Sequence, residues 1–268
     1  MVFNFSCFRK MVMKRMRILV ASIVLLNLLF TNLVVFADQN YSTTIEKNDL
    51  KNQALTYMEN SVLNQTSPNN EENNSNKILN KKIIVIDPGH GGSNPGATQY
   101  GMRESDNNLS VGLKLKKLLE NSGAKVIMTR ETDRSVAEEG VQLKQELQAR
   151  VDLVDVNNAD VFISIHSNAN ENADVHGVMT FYYNDISKRL AVDIQKSLIE
   201  FTEATDKGTE KENFYVLRNN KIPAVLVEMG FITNKSEAIK LNDDVYRNAL
   251  VNGLYNGIVN YFNELNIE

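Results

Sequence analysis

The sequence predicts one α/β domain of three layers, in which a mainly parallel, mixed sheet is flanked by helices. Two observations support this fold class: short runs of apolar, β-branched residues recur along the chain, and segments with the helical spacing of apolar residues lie between them. The runs are too continuously apolar for strands with one face in water, so they suit a sheet that is covered on both faces.

The predicted strands and helices alternate along the chain, as they do in parallel sheets, where a helix commonly returns the chain to the start of the next strand. Gly123 follows the first helix as a C-terminal cap, because glycine adopts the left-handed backbone conformation at little cost. The predicted strands are residues 82–86, 126–128, 161–165, 177–183 and 224–227, and the predicted helices are residues 107–121, 141–157, 186–203 and 245–262.

Composition and charge narrow the class of protein. With 268 residues, 43% of them hydrophobic, the chain can bury a full core. The net charge of -4 gives no basis for nucleic-acid binding, because phosphate backbones are held by clustered lysine and arginine, and we expect no nucleic-acid partner. The only cysteine, Cys7, precedes the first apolar run, so no intramolecular disulfide forms and any metal in the mature protein must be bound by His, Asp or Glu.

Residues 1–37 are predicted to be a signal peptide or an N-terminal membrane anchor. Five basic residues at positions 9–17 precede the apolar stretch 18–37, which ends in Val35-Phe36-Ala37, a pattern that signal peptidases recognise. Cleavage after Ala37 is the first interpretation. The stretch is also near the roughly 20 residues that span a bilayer, so an uncleaved anchor through residues 18–37 is the alternative. Both interpretations export the protein across the cytoplasmic membrane.

Residues 38–80 are predicted to be a flexible, Asn-rich linker. Their composition shifts to Asn, Gln, Glu, Ser and Thr, most strongly at residues 69–74, and such segments bury too little apolar surface to order themselves. A short amphipathic helix at residues 50–63 is compatible with the apolar spacing there. The folded domain is therefore predicted to comprise residues 81–268.

Two of the three histidines follow predicted strands directly. His90 lies in Asp87-Pro88-Gly89-His90-Gly91-Gly92 after the first strand, and His166 ends the apolar strand 161–165. The carboxyl ends of parallel strands meet at one edge of a sheet, where open α/β sheets place their ligand sites. By itself the first motif is equally compatible with a tight turn that carries an incidental histidine. The second histidine at an equivalent position favours a shared site.

Glu104 and Glu228 bring two carboxylates near the same edge. Glu104 is predicted to lie in the loop entering the first helix, from which it could reach His90. Two imidazoles and one carboxylate with an open fourth position form a recurring catalytic Zn²⁺ set, since the open position holds the water to be activated. Glu228 follows the strand 224–227; it is either a helix-cap or salt-bridge residue, or an acid–base group that takes a proton from water and returns it to a leaving nitrogen. The second possibility is the chemistry of amide hydrolysis.

Three other candidates are weaker. His176 precedes the strand 177–183 and is interpreted as a surface or strand-entry residue. Ser164 and Ser167 flank His166, but neither lies in the nucleophile-elbow context of a serine hydrolase, and an acidic partner would be missing.

Several motifs together resemble those of the zinc-dependent N-acetylmuramoyl-L-alanine amidases (amidase type 3), over residues 81–262. The motifs occur in the family's order and with its approximate spacing, which makes the resemblance specific. They are residues 86–92 (IDPGHGG), 95–97 (PGA), Glu104 followed by Asn108-Leu109, Thr129-Arg130 followed by Asp133, and residues 159–169 (ADVFISIHSNA), 214–218 (FYVLR) and 223–231 (PAVLVEMGF).

The resemblance implies a phosphorylase/hydrolase-like fold and makes residues 81–268 the catalytic domain. It implies that His90, Glu104 and His166 bind zinc and that Glu228 is the catalytic carboxylate. The implied substrate is peptidoglycan, cut at the amide between N-acetylmuramic acid and L-alanine. One departure is Asp206-Lys207-Gly208, where relatives usually carry Arg-Gly; lysine keeps the charge without the bidentate fork of arginine.

The layout is similar to that of the germination-specific spore-cortex amidases of the CwlD type, because one catalytic domain follows a short secretion or anchor segment without a recognisable wall-binding repeat. The resemblance implies a role in the spore cortex, where such enzymes prepare strands for muramic-δ-lactam formation, an extracytoplasmic location that includes the forespore intermembrane space, and dependence on an activating protein partner. The alternatives are a zinc peptidase that cuts within the stem peptide and a non-catalytic wall-binding relative.

Overall fold

Six strands form a central mixed sheet in the computed structural model, which describes residues 78–265. The strand order is β4-β1-β5-β8-β6-β7, and every neighbouring pair is parallel except β6 and β8. The short strands β2 and β3 form a separate hairpin. The strands are β1 (Ile83–Pro88), β2 (Thr98–Gln99), β3 (Met102–Arg103), β4 (Lys125–Met128), β5 (Val161–Asn168), β6 (Val178–Tyr182), β7 (Asp206–Lys211) and β8 (Ala224–Phe231).

Four long helices lie where the sequence predicts them, so the α/β class with a mainly parallel sheet is confirmed. Two short helices, the hairpin and β7 were not predicted. Strand β7 is polar throughout and lies at the edge of the sheet, so it has no apolar signal. The helices are α1 (Glu104–Asn121), α2 (Leu143–Asn157), α3 (Asp185–Thr202), α4 (Tyr215–Arg218), α5 (Lys235–Leu241) and α6 (Asp244–Leu265).

Helix α1 begins three residues earlier than predicted, so Glu104 is its first residue and does not lie in a loop. The first backbone N–H groups of a helix have no partner within it. Here the carbonyl oxygen of Ala97 accepts from the N–H of Glu104 at 2.9 Å, and that of Pro95 accepts from Ser105 at 3.0 Å. The hairpin backbone therefore stabilises this end of the helix, which has no Ser, Thr, Asp or Asn at the capping position to mark it in the sequence.

The sheet separates two clusters of buried side chains, because successive residues of a strand point to opposite faces. The larger cluster includes Ile86 and Ile165 and packs against α1, α3 and α6. The smaller cluster includes Val85 and Phe162 and packs against α2 and α4. On the face of the smaller cluster, the carboxyl ends of β1, β5 and β8 lie next to the candidate site.

The packed residues begin no later than Leu79, which is fully buried and whose N–H donates to the carbonyl oxygen of Ser122 at 3.1 Å. Leu79, which the sequence places in the linker, therefore packs against the domain. The predicted signal or anchor segment (1–37) and the helix at residues 50–63 lie outside the described residues. Within residues 78–265, no helix is long and apolar enough to cross a membrane.

Candidate metal centre

His90 lies in a sharp turn directly after β1. Its φ is 62°, and Gly91 and Gly92 also have positive φ, which lets the chain reverse within three residues. Gly89 is required for another reason: a Cβ there would lie 2.2 Å from Cε1 and Nε2 of His166. The glycine therefore allows the turn after β1 to pack directly against the imidazole carried by β5.

The structure brings His90, Glu104 and His166 together. Oε1 of Glu104 lies 3.1 Å from Nε2 of His90 and 2.9 Å from Nδ1 of His166. One potential ligand atom from each residue falls within a group that spans 4.8 Å, and the two imidazole rings meet edge to face. This is the cluster that the spacing along the sequence predicted.

Glu104 is held in place by backbone and side-chain donors. It is 5% exposed, its Oε2 accepts from the N–H of Ala97 at 2.9 Å, and its Oε1 accepts from the N–H of Ser167 at 3.2 Å. Nδ2 of Asn108 approaches Oε1 at 3.4 Å. Burial by itself raises the pKa of Glu104, but the hydrogen bonds from His166 and His90 more than offset it and hold that pKa well below its usual range. The carboxylate is therefore ionised and fixed.

Asn94 determines which nitrogen of His90 faces the cluster. Its Oδ1 accepts from the N–H of Gly96 at 3.1 Å, which identifies that atom as the amide oxygen, and it lies 3.1 Å from Nδ1 of His90. Nδ1 must then carry a proton, so Nε2 is the nitrogen that the neutral imidazole presents to the cluster. The 3.1 Å between Nε2 and Oε1 of Glu104 allows a hydrogen bond when Nε2 is protonated, and a metal ion that binds both atoms takes the place of that proton. Neutral imidazole and carboxylate are ligands that Zn²⁺ prefers, so the three residues fit this metal.

Glu228 lies beside the cluster on the neighbouring strand. It is paired with His166 across β5 and β8 and with Met179 of β6, so its side chain shares a face with that of His166, at the usual strand spacing of about 4.8 Å. Its Oε2 is shielded from solvent and has no hydrogen-bond partner, and within residues 78–265 it forms no ion pair. Burial raises the pKa of Glu228 well above its usual range, and the charge of Glu104 adds to this effect. These contacts do not support the salt-bridge interpretation.

The side chains of the weaker candidates, His176, Ser164 and Ser167, contact other groups outside the cluster. Nδ1 of the exposed His176 donates to the carbonyl oxygen of Asp174 at 2.7 Å, and His176 is not part of the cluster. Oγ of Ser164 donates to Asp87 at 2.8 Å, and Oγ of Ser167 lies 3.4 Å from Oδ1 of Asn108. Neither hydroxyl is paired with a histidine in the arrangement of an activated nucleophile.

Sequence reasoning missed Asn94 and Arg150, which contact the turn around His90. Arg150 donates to the carbonyl oxygen of His90 at 3.0 Å and is almost fully buried. A signal for it exists in the sequence: Arg150 lies in the same helical stripe as Val151 and Val154, where a buried charge requires a specific partner. Asn94 has no comparable signal, because asparagine is common in turns.

Comparisons with known proteins agree with the fold. The family model described as N-acetylmuramoyl-L-alanine amidase (Amidase_3) matches residues 84–260. That range includes all four candidate site residues, and the chain belongs to this family. The resemblance predicted from the sequence motifs is thereby confirmed.

Two relatives are similar over most of the folded part. The germination-specific N-acetylmuramoyl-L-alanine amidase of Bacillus subtilis (strain 168) is 36% identical over 194 residues, which cover 69% of this chain and 82% of the relative. The solved structure of the CwlD amidase from Clostridioides difficile, in complex with the GerS lipoprotein, is 36% identical with a TM-score of 0.65, and covers 70% of this chain and 100% of that one.

A third relative is the catalytic domain of CwlV, an N-acetylmuramoyl-L-alanine amidase from Bacillus (Paenibacillus) polymyxa. It is 32% identical with a TM-score of 0.63, and covers 70% of this chain and 99% of that domain. The α/β fold is thus shared with solved amidases along nearly the whole length of each.

Proposed function

We propose that this protein is a zinc-dependent N-acetylmuramoyl-L-alanine amidase, which hydrolyses the amide between N-acetylmuramic acid and L-alanine in peptidoglycan. Family membership supports the reaction, and one structural observation supports the site: a fixed His90, Glu104 and His166 cluster lies beside an unpartnered carboxyl group, that of Glu228. The products would be a free muramic acid strand and a peptide that begins with L-alanine.

His90, Glu104 and His166 would hold the zinc through Nε2, a carboxylate oxygen and Nδ1. When bound, zinc supplies Lewis acidity, which polarises the scissile carbonyl and lowers the pKa of water. Glu228 accepts the proton from the attacking water and delivers it to the departing amide nitrogen. Its raised pKa suits the second task, because it favours the protonated form that donates to the leaving nitrogen.

Product analysis tests the reaction. The purified full chain with stoichiometric zinc should release stem peptides with free L-alanine N-termini from intact peptidoglycan, as identified by mass spectrometry. The Glu228→Gln variant is the control and should release these peptides far more slowly. Cleavage inside the stem peptide would instead identify a peptidase, and a zinc-loaded chain that releases nothing from any wall preparation would point to a non-catalytic relative.

The proposed biological setting is the spore cortex. The support is the similarity to the germination-specific amidase of Bacillus subtilis and to the CwlD amidase of Clostridioides difficile. Spores of a strain that lacks the gene should contain no muramic-δ-lactam, and complementation should restore it. A cortex with unchanged muropeptides would contradict this setting.

Export and a protein partner belong to the same proposal. Residues 1–37 have the pattern of a signal peptide or anchor, and the CwlD amidase to which this chain is similar was solved with the GerS lipoprotein bound. N-terminal sequencing of the extracytoplasmic protein distinguishes cleavage after Ala37 from an intact anchor. Size-exclusion chromatography with a GerS-like lipoprotein of the same organism tests the partner, and separate elution of the two proteins would contradict it.

A further inference from the structure

Two buried arginines hold three consecutive carbonyl oxygens of the turn that carries His90. Arg130 donates to the carbonyl oxygens of Pro88 and Gly89, both at 2.9 Å. Arg150 donates to those of Pro88 at 3.2 Å and His90 at 3.0 Å. Arg130 is 0% exposed and Arg150 4%, so both side chains are shielded from water.

The two arginines are held by different partners. Arg150 forms ion pairs with Asp87 at 2.6 Å and with Glu146 at 2.9 Å, which balance its charge. Arg130 forms no ion pair within residues 78–265; its other acceptors are the carbonyl oxygens of Ser105 and Thr132. Burial and the charge of Arg150 lower the pKa of Arg130 to about 10, which still leaves it charged at neutral pH.

Asp87 anchors Arg150 to the sheet. Besides the ion pair, it accepts hydrogen bonds from Oγ1 of Thr129 at 2.7 Å and Oγ of Ser164 at 2.8 Å, and it is 1% exposed. Strands β1 and β5 contribute Asp87 and Ser164, and Thr129 directly follows β4. The position of the Arg150 guanidinium is therefore fixed by three neighbouring segments of the sheet.

The turn needs such support because its conformation is unfavourable by itself. His90 has a φ of 62°, a left-handed conformation that is unfavourable for a non-glycine residue. The side chain also faces the solvent partly, so apolar packing does not fix it. With their carbonyl oxygens released, residues 88–90 would be free to leave this conformation, and Nε2 of His90 would move away from Glu104.

We infer that Arg150 is a positioning residue for the metal ligand His90. Arg150 is held by Asp87 and in turn holds the carbonyl oxygen of His90 in place. Arg130 holds the carbonyl oxygens of the two preceding residues. This inference rests on the proposed zinc site, since it concerns how tightly that site binds. Residues that orient a metal ligand typically change metal affinity about 10- to 100-fold when they are replaced.

The experiment compares Arg150→Met with a matched control, Arg247→Met, in the purified full chain. Arg247 is also a largely buried arginine, with bonds to the carbonyl oxygen of Leu241 at 2.7 Å and to Oδ1 of Asn107 at 2.9 Å, but it does not contact the turn. Two quantities are measured for each protein: the zinc dissociation constant by competition with a chelating dye, and the Tm without metal.

We expect both variants to lower the Tm, and only Arg150→Met to weaken zinc binding, about tenfold or more. Arg150→Lys provides a second variant if the methionine variant does not fold. A lysine keeps the charge but cannot reach Asp87 and the His90 carbonyl together, so zinc affinity should fall between the parent and the methionine variant.

An Arg150 variant that binds zinc within twofold of the parent, while its Tm falls as in the control, would overturn the inference and reduce Arg150 to a residue of general stability. A parent that binds no zinc would have a different meaning, since it would contradict the metal site itself and the inference with it.

Discussion

Replacing Glu228 and Glu104 by glutamine should have different effects on zinc binding and on stability, although both carboxyl groups lie at the same cluster. Glutamine has almost the shape of glutamate, so each change replaces an ionisable carboxyl group and leaves the packing intact. Oε2 of Glu228 has no hydrogen-bond partner, so Glu228→Gln removes no bond from that atom. Stability without metal should stay within about 0.5 kcal/mol of the parent or rise.

Glu104→Gln disturbs a much more connected group. Its carboxylate accepts from the backbone N–H groups of Ala97 and Ser167 and lies next to both histidines. Hydrogen bonds to a charged group contribute about 1.5 to 3 kcal/mol each, and the new amide NH₂ faces at least one donor. The free energy of unfolding should therefore fall by roughly 2 to 4 kcal/mol. The candidate ligand is also lost, so zinc content should fall.

The assay measures zinc per chain, the rate of peptide release from peptidoglycan and thermal unfolding, for both variants, His90→Ala and His166→Ala. Glu228→Gln should retain zinc while turnover falls about 10²- to 10⁴-fold, the usual contribution of acid–base catalysis. Glu104→Gln should follow the two histidine variants in losing zinc and activity together. If Glu228→Gln loses zinc and Glu104→Gln retains it, the two roles are reversed.

Three further predictions concern the surroundings of the cluster. Gly89→Ala places a Cβ 2.2 Å from the His166 ring and should weaken zinc binding about tenfold or more. Gly140→Ala is the control, because a Cβ at Gly140 meets no other atom; the positive φ of Gly140 means that this variant should change only the Tm. Burial raises the pKa of Asp87, but the charge of Arg150 and two hydroxyl donors outweigh it, so the net pKa is lowered. The resulting stabilisation is complete above the unfolded value near 3.8 and is lost as pH falls through the folded pKa; Asp87→Asn should lower the Tm at pH 7 and flatten its decline below pH 4. A truncated chain that begins at Ile78 should fold and retain activity, whereas one that begins at Asn80 lacks the buried Leu79 and should lose about 2 to 4 kcal/mol. Equal unfolding curves for the two truncated chains would contradict the last expectation.

The parallel strands and long helices could be predicted because burial leaves a periodic trace in the sequence. Strand β1 is buried on both faces and reads as an unbroken apolar run, and α3 repeats its apolar residues at helical spacing. The edge strand β7 and the short hairpin leave no such trace, since they are exposed and are held by backbone hydrogen bonds. The start of α1 was missed for the same reason, because the groups that cap it are the backbone carbonyl oxygens of Pro95 and Ala97 and not a side chain.

The members of the candidate site were predictable, but their environments were not. Strand topology placed His90 and His166 at one edge, and the motifs indicated Glu104 and Glu228. The sequence does not reveal that Arg130 and Arg150 converge on the carbonyl oxygens of residues 88–90. Arg130, Arg150 and residues 88–90 lie in three separate segments of the chain, so no local sequence pattern indicates that they are in contact.

Glu104 and Glu228 are the same residue type at one site, but their environments shift their pKa values in opposite directions. Glu104 is the first residue of α1 and receives donors from two backbone N–H groups and from the histidines, which stabilise its charge and lower its pKa. Glu228 is carried by a central strand, where burial and the charge of Glu104 raise its pKa. The first environment suits a permanent anion that holds a cation, and the second suits a group that must both take and return a proton.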